Sequence, residues 1–401
     1  MRDLPALEDL DVSGKRVLLR GDLNVPLRDG RVTDDARIRA LVPTVADLRE
    51  RGASVILMSH FGRPKGRAVD GMSLAPLLPA LAAALGVTPA FAADCIGKSA
   101  EDAAAALKPG DILLLENLRF HPGEEANDPA FATALARLGD VYVNDAFSTA
   151  HRAHASTHRV ARLLPAAAGR HLHAELAVLD RVLENPARPV GAVIGGAKIS
   201  SKLPALVNLV KRADWLAIGG AMANSFLQAL GTPVGVSLSE PERKGDALDI
   251  LARADAAGCE ILLPSDVVIR RGAGPEAVVE TRPAGAVPPD GAIMDIGPAS
   301  AGLLAARLRT CRTLLWNGPL GAFETPPFDS GTRAVAQAAA EQTRQGRLLS
   351  VAGGGDTAAA LAAAGVEGGF SHLSTGGGAF LEWLEGRDLP GVAVLRRGVA
   401  V

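Results

Sequence analysis

The chain has 401 residues, which is too long for one ordinary hydrophobic core and therefore predicts two domains. It carries 42 Lys and Arg residues against 44 Asp and Glu residues, and 48% of its residues are hydrophobic. The formal net charge of −2 excludes the overall positive field by which proteins gather nucleic acids or anionic membranes. Any site for an anionic ligand must therefore be a local cluster of cationic side chains.

The three cysteines, Cys95, Cys259 and Cys311, lie far apart in the sequence and form no CxxC pair. This sparse, odd number argues against a disulfide scaffold and against a zinc site. We interpret them as small core side chains of a protein in a reducing compartment. The first residues also lack the apolar core of a signal peptide, so we expect a cytoplasmic location.

Residues 74–93 carry no charge and are together long enough to span a bilayer. Pro76, Pro79, Gly86 and Pro89 interrupt this stretch. Because proline breaks the interior of a helix, we interpret the stretch as a helix, a turn and the start of a strand. We therefore expect no membrane-spanning segment and no membrane partner.

Short β-rich runs alternate with Ala- and Leu-rich segments along almost the whole chain. We predict strands at 16–20, 54–58, 111–115, 141–144, 190–194, 215–218, 261–263, 313–315 and 348–351. Helices are predicted between them, among others at 35–51, 128–138, 200–211 and 333–343. The strand segments are almost continuously apolar, which is typical of parallel strands covered on both faces. The predicted fold is therefore α/β with doubly wound parallel sheets, which bind ligands at the carboxyl ends of their strands.

The loops after these strands differ between the two halves of the chain. The first half holds seven of the eight histidines and arginine-rich loops, whereas the loops of the second half are rich in glycine. Residues 172–188 look like one connecting helix. We therefore predict an N-terminal domain of residues 1–171, a hinge helix at 172–188 and a C-terminal domain of residues 189–388, with a cleft between the domains.

Charged and polar side chains follow four predicted strands of the first half. Because the carboxyl ends of parallel strands meet at one edge of a sheet, we expect these side chains to form one cluster. Guanidinium groups match phosphate and carboxylate with paired hydrogen bonds, so the cluster suits a small, highly anionic ligand. The candidate substrate-binding residues are Asp22, Asn24, Arg37, His60, Arg63, Arg119 and Arg152.

The glycine-rich loops of the second half predict a nucleotide site, although the chain contains no GxxxxGK[ST] motif. The glycines at 353–355 lead from a strand into a helix, where glycine lets the backbone approach a phosphate and the helix N-terminus favours negative charge. Asp356 in this turn is a candidate ligand for a Mg²⁺ ion that bridges phosphates. After another strand, we expect Lys198 and Lys202 one helical turn apart on one face of a helix.

Residues 353–358 also fit GxGxxA, the fingerprint of a dinucleotide-binding turn. That fingerprint needs an acidic residue at the end of the next strand, but the strand near 370–373 is followed by Ser374 and Thr375. The lysines separate the interpretations further, since phosphoryl transfer needs cations on the moving group and hydride transfer does not. The alternatives are an NAD-type oxidoreductase and a non-catalytic two-domain protein that binds a phosphorylated acid.

Eight segments carry long signatures in a fixed order, and they lie at 22–26, 59–64, 116–120, 142–156, 195–202, 316–319, 353–357 and 374–386. In these segments the chain resembles the phosphoglycerate kinase family over nearly its whole length. The resemblance implies phosphoryl transfer between ATP and the carboxylate of 3-phosphoglycerate, a reaction of glycolysis and gluconeogenesis. It also implies that residues 389–401 return to pack on the N-terminal domain.

The resemblance assigns 3-phosphoglycerate to the first domain and the magnesium complex of ATP or ADP to the second. The nucleotide-binding residues that it implies are Lys198, Lys202, Gly220, Asn317, Glu324, Gly353, Gly354, Gly355, Asp356 and Thr357, with the magnesium on Asp356. The expected partners are small-molecule substrates only, without nucleic acid. A chain that closes on itself favours a monomer.

The expected acceptor is a carboxylate, whose pKa lies far below neutrality, so the reaction needs no general base. Catalysis then depends on bringing two anions together and neutralising the transferring group. We expect Arg37 and Lys202 to neutralise its oxygens and Lys198 to hold the nucleotide phosphates. These three residues are the predicted catalytic residues.

The chain differs from the usual residues of the family near the expected sites. Ser201 stands where Asp is common, Gly21 replaces a usual valine and Ser148 a usual glycine. Ile293 stands where glycine is usual, near the expected adenine site, and residues 169–174 at the expected hinge are less apolar. None of these differences removes a group that is assigned to the chemistry.

Overall fold

The computed structural model describes residues 4–396. The chain divides into two compact units, one made of the described parts of Met1–Ala177 and Asp388–Val401, the other of Val178–Arg387. The division after Ala177 lies inside the segment 172–188 for which a hinge helix was predicted. That hinge role stays a prediction, and residues 397–401 of the expected returning segment lie outside the described residues.

The first unit is built on a parallel sheet of six strands. Its strands, with a separate small hairpin, are β1 (Arg16–Arg20), β2 (Leu27–Arg28), β3 (Arg31–Val32), β4 (Ser54–Met58), β5 (Ala90–Ala92), β6 (Ile112–Leu115), β7 (Val141–Asn144) and β8 (Ala166–Ala168). The order across the sheet is β5-β6-β4-β1-β7-β8, and β2 pairs with β3. The central strand β1 lies between β4 and β7, with Leu18 opposite both Ile56 and Tyr142. The carboxyl ends of three loop-bearing strands therefore lie side by side.

Six helices of this unit follow or precede these strands. They are α1 (Ala36–Glu50), α2 (Leu78–Leu85), α3 (Gly97–Ala105), α4 (Pro122–Glu125), α5 (Pro129–Ala136) and α6 (Arg170–Leu183), the last of which contains the division between the units. The buried leucines of α1 and the apolar side chains of β1, β4 and β7 form one hydrophobic core. A parallel sheet must be covered by such helices because its strands are apolar on both faces.

The second unit holds a second parallel sheet of six strands and a small antiparallel sheet. Its strands are β9 (Val190–Ile194), β10 (Trp215–Ile218), β11 (Glu260–Leu262), β12 (Asp266–Arg271), β13 (Val278–Pro283), β14 (Gly291–Ile296), β15 (Thr313–Asn317), β16 (Leu349–Gly353) and β17 (His372–Ser374). The parallel sheet runs in the order β11-β10-β9-β15-β16-β17, and the antiparallel sheet in the order β13-β12-β14. The antiparallel sheet was not predicted, because its half-exposed strands carry charged residues rather than apolar runs.

The helices of the second unit are α7 (Leu203–Leu209), α8 (Gly220–Ala229), α9 (Lys244–Ala257), α10 (Pro298–Thr310), α11 (Ser330–Arg344), α12 (Gly355–Ala363) and α13 (Gly378–Leu384). The final helix α14 (Pro390–Arg396) belongs to the first unit, where the backbone NH of Gly391 donates to the carbonyl of Ala150 at 2.8 Å. Trp316 and the buried faces of α10 and α11 form the core beside the second sheet.

The predicted α/β class with two parallel sheets is confirmed. Several strands agree with the prediction at both ends, since an unbroken apolar run leaves little freedom in where a buried strand can lie. No helix within residues 4–396 is long and apolar enough to cross a membrane. The uncharged stretch 74–93 contains α2 and β5, and α2 ends at Gly86, whose φ of 69° lies in the left-handed region.

Candidate functional site

In the first unit, the candidate residues lie in loops at the carboxyl ends of neighbouring strands. Asp22 and Asn24 follow β1, His60 follows β4, and Arg119 lies in a short 3-10 helix after β6. Arg37 is the second residue of α1. The sheet register brings these loops together, because the last residues of β1, β4 and β7 stand opposite one another.

A chain of hydrogen bonds joins these three loops and the start of α1. Arg37 Nη1 lies 2.9 Å from Asp22 Oδ2 and donates to the carbonyl of Asn24 at 3.0 Å. The side-chain oxygen of Asn24 accepts from the backbone NH of Gly62 at 2.9 Å, and the carbonyl of Gly62 accepts from Arg119 Nη1 at 2.7 Å. The structure thus brings Asp22, Asn24, Arg37 and Arg119 into one network.

Asn117 holds the loops of His60 and Arg119 in position. Its amide group bonds both the NH and the carbonyl of Phe61, and its oxygen also accepts from the NH of Arg119. The Nε of Arg119 lies 3.2 Å from a Glu125 oxygen but makes no well-directed hydrogen bond, although it is buried. A buried donor without a satisfied bond is energetically unfavourable, and an anionic ligand would satisfy it.

His60 is held in one neutral form by Arg20, the last residue of β1. Arg20 is fully buried, and its Nη2 lies 3.1 Å from His60 Nδ1. Because a guanidinium can only donate, Nδ1 accepts and the proton of the neutral ring is on Nε2. Burial and then the charge of Arg20 hold the pKa of His60 well below its ordinary value. His60 therefore offers an Nε2–H donor to a ligand.

A buried polar cluster lies beneath this network. Arg20 Nε donates to Ser156 Oγ at 2.9 Å, and the same hydroxyl donates to Glu124 at 2.6 Å. Burial raises the pKa of Glu124, while the Arg20 charge opposes that rise. Burial, together with the charges of Arg119, Arg20 and Arg152, lowers the pKa of His154 to about 3. The positive charge of the arginines is thus concentrated where little water can screen it.

The remaining first-unit candidates are less constrained. Arg63 is exposed, and Arg152 is half-buried with its Nε donating to His151 Nε2 at 3.2 Å. Ser148 adds a contact within the cluster, since its hydroxyl donates to Asp22 Oδ2. The long side chain of Arg63 is exposed and is able to turn toward a ligand when it binds.

In the second unit, Asn317 connects Lys202 to the loop that follows β16. Asn317 is buried; its Oδ1 accepts from Lys202 Nζ, and its Nδ2 donates to the carbonyl of Gly353 at 2.6 Å. Thr357 Oγ1 donates to that same carbonyl at 2.8 Å and accepts from the NH of Gly318 at 2.7 Å. The ends of β15 and β16 are thereby fixed against each other.

Close backbone approach explains two of the glycines. Gly354 has φ of 103°, and a Cβ there would lie 2.8 Å from Asn317 Nδ2. Gly220 has φ of 65°, and a Cβ there would lie 2.8 Å from the carbonyl oxygen of Gly196. Both positions require glycine for its backbone conformation as well as for space.

A cavity of about 290 Å³ lies beside this network. Gly220, Glu324 and Asp356 of the predicted nucleotide residues line it, together with apolar side chains that include Leu238 and Ile293. Mostly apolar walls with a few polar groups are typical of pockets for small molecules. Ile293, the departure from the family pattern, therefore lies in the wall of this pocket.

The prediction that Lys198 and Lys202 share a helix face is wrong. Helix α7 begins at Leu203, and Lys202 is its N-cap residue, while Lys198 lies exposed in the preceding loop. Pro204 lies in the first turn, where proline favours the start of a helix and not its interior. Burial lowers the pKa of Lys202, and the negative charge of Asp356 opposes that lowering. Of the two lysines, Lys202 is the one that bonds to Asn317 and joins the network.

Asp356 fits the role of a magnesium ligand. It is exposed in the first turn of α12 and lies in the cavity wall with Glu324. Mg²⁺ is usually held by one or two carboxylates and the phosphates of its substrate, and it keeps several waters. One accessible carboxylate beside a helix N-terminus satisfies that requirement.

The most important residues that sequence reasoning did not assign to the site are Arg20, Glu124 and Ser156. The signal for Arg20 was present, because it is a charged residue at the carboxyl end of a strand whose three central residues are apolar. Nothing in the sequence links Glu124 to Ser156, whose contact arises only from tertiary packing.

Comparison with known proteins gives one consistent result. The family model described as phosphoglycerate kinase matches residues 7–387. Phosphoglycerate kinases of a Ruegeria species and of Rhizorhabdus wittichii are 59% and 58% identical to this chain, each over 97% of it and 98% of the relative. The structure of phosphoglycerate kinase from Coxiella burnetii superposes with a TM-score of 0.91 at 39% identity, covering 98% of this chain and 99% of that one.

Proposed function

Because this chain belongs to the phosphoglycerate kinase family, we propose that it transfers a phosphoryl group reversibly between ATP and the carboxylate of 3-phosphoglycerate. The products of the forward direction so written are ADP and the acyl phosphate 1,3-bisphosphoglycerate. The observation that carries the proposal is the Lys202–Asn317–Gly353 network beside the glycine-lined cavity. A half-buried ammonium group held at the rim of such a pocket can neutralise a transferring phosphoryl group.

The cluster of cationic and polar side chains in the first unit is proposed to bind 3-phosphoglycerate. Arginines 37, 63, 119 and 152 and the Nε2–H of His60 supply donors, while Asp22 and Asn24 accept from or donate to the hydroxyl group. Burial acts to raise the pKa of Asp22, but the Arg37 charge, the neighbouring His60 and the hydrogen bonds from Ser148 and the NH of Asn24 together lower it, so Asp22 is held ionised. The cluster lies at the carboxyl ends of the parallel strands, which is where proteins of this fold class bind their ligands.

The nucleotide is proposed to bind in the second unit, with Gly220 and Glu324 in the cavity wall and phosphates near Gly353, Gly354, Gly355 and Thr357. Asp356 would hold Mg²⁺, which supplies charge neutralisation for the phosphates when it is bound. Lys198, exposed in its loop, is proposed to contact the nucleotide phosphates by reaching from solvent.

The reaction needs little general acid or general base catalysis. A carboxylate attacks without losing a proton, so the chain needs only to position it, exclude water and neutralise the transferring group. Arg37 and Lys202 are proposed to act on that group. The residues in both clusters are accordingly cations and donors, and no pair of nucleophile and base is required.

The alternatives are not supported. An NAD-type oxidoreductase would need an acid after β17, which ends at Ser374. A binding protein without turnover would have no use for the half-buried Lys202, whose partial burial is unfavourable and must be offset by function or by bonding. The family match covers residues 7–387, so no long segment remains outside it that could carry either alternative function.

The two substrates are assigned to different units, so the reaction requires them to meet. We propose that residues 172–188 act as the hinge for this closure, in a cytoplasmic monomer whose three cysteines are free thiols. Small-angle scattering with and without both substrates tests the hinge. A smaller radius of gyration in the ternary complex is expected, and identical curves would contradict it.

The activity test compares wild type with Lys202→Ala in an assay that couples the acyl phosphate to a reductive trap. We expect Mg²⁺- and ATP-dependent turnover in wild type, and a loss of kcat of about 10²–10³ in the variant, the range for removing one electrostatic group. Lys211→Ala is the matched control, since Lys211 is exposed at the other end of α7. Normal kcat in Lys202→Ala would remove this residue from the chemistry, and a folded, inactive wild type would refute the function.

A further inference from the structure

Three side chains of different chemistry converge in the first unit, away from the network of Asp22 and Arg37. Asp94 and Cys95 lie in the loop after β5, and His121 lies just before α4. Asp94 Oδ1 is 2.6 Å from His121 Nε2, and it also accepts from the backbone NH of Cys95 at 2.6 Å. One ligand atom each from Asp94, Cys95 and His121 lie within 4.8 Å of one another.

A carboxylate, an imidazole and a thiol are together the ligand set of a zinc-type ion. Zn²⁺ binds oxygen, nitrogen and sulfur at about 2.0–2.3 Å in a tetrahedron, and it often takes three protein ligands and one water. Mg²⁺ and Ca²⁺ do not favour such a set, because they prefer oxygen alone. We propose that Asp94, Cys95 and His121 form a site for one divalent transition-metal ion of the zinc type, with water as the fourth ligand.

The surroundings of the cluster suit a cation. The thiol of Cys95 is fully buried, while the side chains of Asp94 and His121 are 46% and 29% exposed, so an ion can enter from solvent and reach the sulfur last. The carboxylates of Asp94, Glu124 and Glu116 place negative charge around the Cys95 thiol. The same negative charges favour a metal ion, and coordination removes the thiol proton.

The other roles open to these residues fit less well. A nucleophilic cysteine needs exposure and a lowered pKa, and Cys95 has neither. An Asp–His ion pair alone accounts for two of the three groups but not for the thiol beside them. The ring of His121 also packs against Phe131, with ring centroids 5.3 Å apart, so its position is fixed before an ion arrives.

The ion would add a further link between two loops that the Asp94–His121 contact already joins. His121 follows Arg119 by two residues and is the N-cap of α4, which carries Glu124 and Glu125. A metal bound by His121 and Asp94 would therefore restrain the loop between the end of β6 and the buried Glu124. The site is separate from the magnesium ligand Asp356, which belongs to the second unit.

The sparse, odd number of cysteines and the lack of a CxxC pair argue against a zinc site. That argument considers cysteines near each other in sequence. Here the sheet order β5-β6 places the loop of one cysteine beside a histidine from the next strand's loop.

Titration with Co²⁺ alone, on chelator-treated protein kept reduced, tests the proposal. A tetrahedral cobalt site with a thiolate ligand gives intense visible bands and a sulfur-to-cobalt charge-transfer band, which an all-oxygen site such as Asp356 does not. We expect one equivalent of Co²⁺ to give these bands in wild type, and Zn²⁺ to abolish them by displacement.

The variants Cys95→Ser and His121→Gln separate the ligands, and Cys259→Ser is the matched control, a second buried free cysteine. We expect affinity to fall by at least about 100-fold in the first two, since even outer-shell partners of metal ligands contribute about 10–100-fold, and to be unchanged in Cys259→Ser. If Cys95→Ser does not fold, the half-exposed His121 still gives a test. Absence of a charge-transfer band in wild type, or its persistence in Cys95→Ser, would overturn the site.

Discussion

Replacing Arg20 by methionine tests whether the buried cluster supports the substrate site. The substitution keeps an unbranched apolar stem but removes the donors to Ser156 Oγ, at 2.9 Å, and to His60 Nδ1, at 3.1 Å. Hydrogen bonds that involve a charged group contribute about 1.5–3 kcal/mol each. The buried Glu124, which Arg20 reaches through Ser156, would also lose its neighbouring cation, and leaving a charge buried and unpaired destabilises a protein by about 3–5 kcal/mol. We therefore expect Arg20→Met to lower the free energy of unfolding by about 3–5 kcal/mol.

The same change should alter binding in the first unit. Without Arg20, the Nδ1 of His60 is no longer held as an acceptor, and the positive charge that keeps its pKa low is gone. The ring can then carry its proton on Nδ1, which removes the Nε2 donor. We expect a higher KM for 3-phosphoglycerate and an unchanged KM for ATP, whose proposed site lies in the other unit.

Arg16→Met is the matched control, because Arg16 lies on the same strand and pairs at 3.1 Å with Asp140 in an exposed position. Exposed ion pairs contribute about 0–1 kcal/mol. Denaturant unfolding of both variants at pH about 7 gives the comparison. If Arg20→Met loses less than about 1 kcal/mol, or no more than Arg16→Met, the reasoning about the buried cluster is refuted.

Two groups should give the stability opposite pH dependences. The pKa of His154 is lowered from 6.5 to about 3, so between these values the unfolded chain binds a proton that the folded chain does not, and stability falls on acidification. The slope is at most about 1.4 kcal/mol per pH unit, and His154→Gln should remove it. The pKa of Asp295 is raised from 3.8 to about 7, so the free energy of unfolding falls as pH rises through that range. Asp295→Asn should remove this fall when the free energy of unfolding is measured against pH. An unchanged slope in either variant would contradict the assignment of that residue. In Gly195→Ala the new Cβ would overlap the carbonyl oxygen of Pro319, so we expect a loss of about 1–3 kcal/mol and a higher KM for ATP. Gly302→Ala, in open space within α10, should leave Tm unchanged or raise it, and equal behaviour of the two would show that close approach is not the cause.

Much of the candidate site could be predicted because the fold class dictates where loops lie. Once parallel strands were inferred at 16–20 and 54–58, Asp22 and His60 had to emerge at the same sheet edge. The hydrogen bonds that join Asn24 to Arg119 through Gly62 could not be inferred, since they depend on how each loop bends after its strand. Helical spacing alone gave a wrong prediction for Lys198 and Lys202. The helix starts only after Lys202, and Pro204 lies in its first turn.

By itself the sequence determined the α/β alternation, the bounds of several buried strands, the sites' residue types and the family. These are local properties: an apolar run, a glycine turn or a signature is readable wherever it stands. Tertiary structure alone decided the strand order, the burial of Arg20 under His60, the pairing of Glu124 with Ser156, and the meeting of Cys95 with His121. Such contacts join residues far apart in sequence, and the charges and hydrogen bonds they combine act through distance in space, which no sequence spacing records.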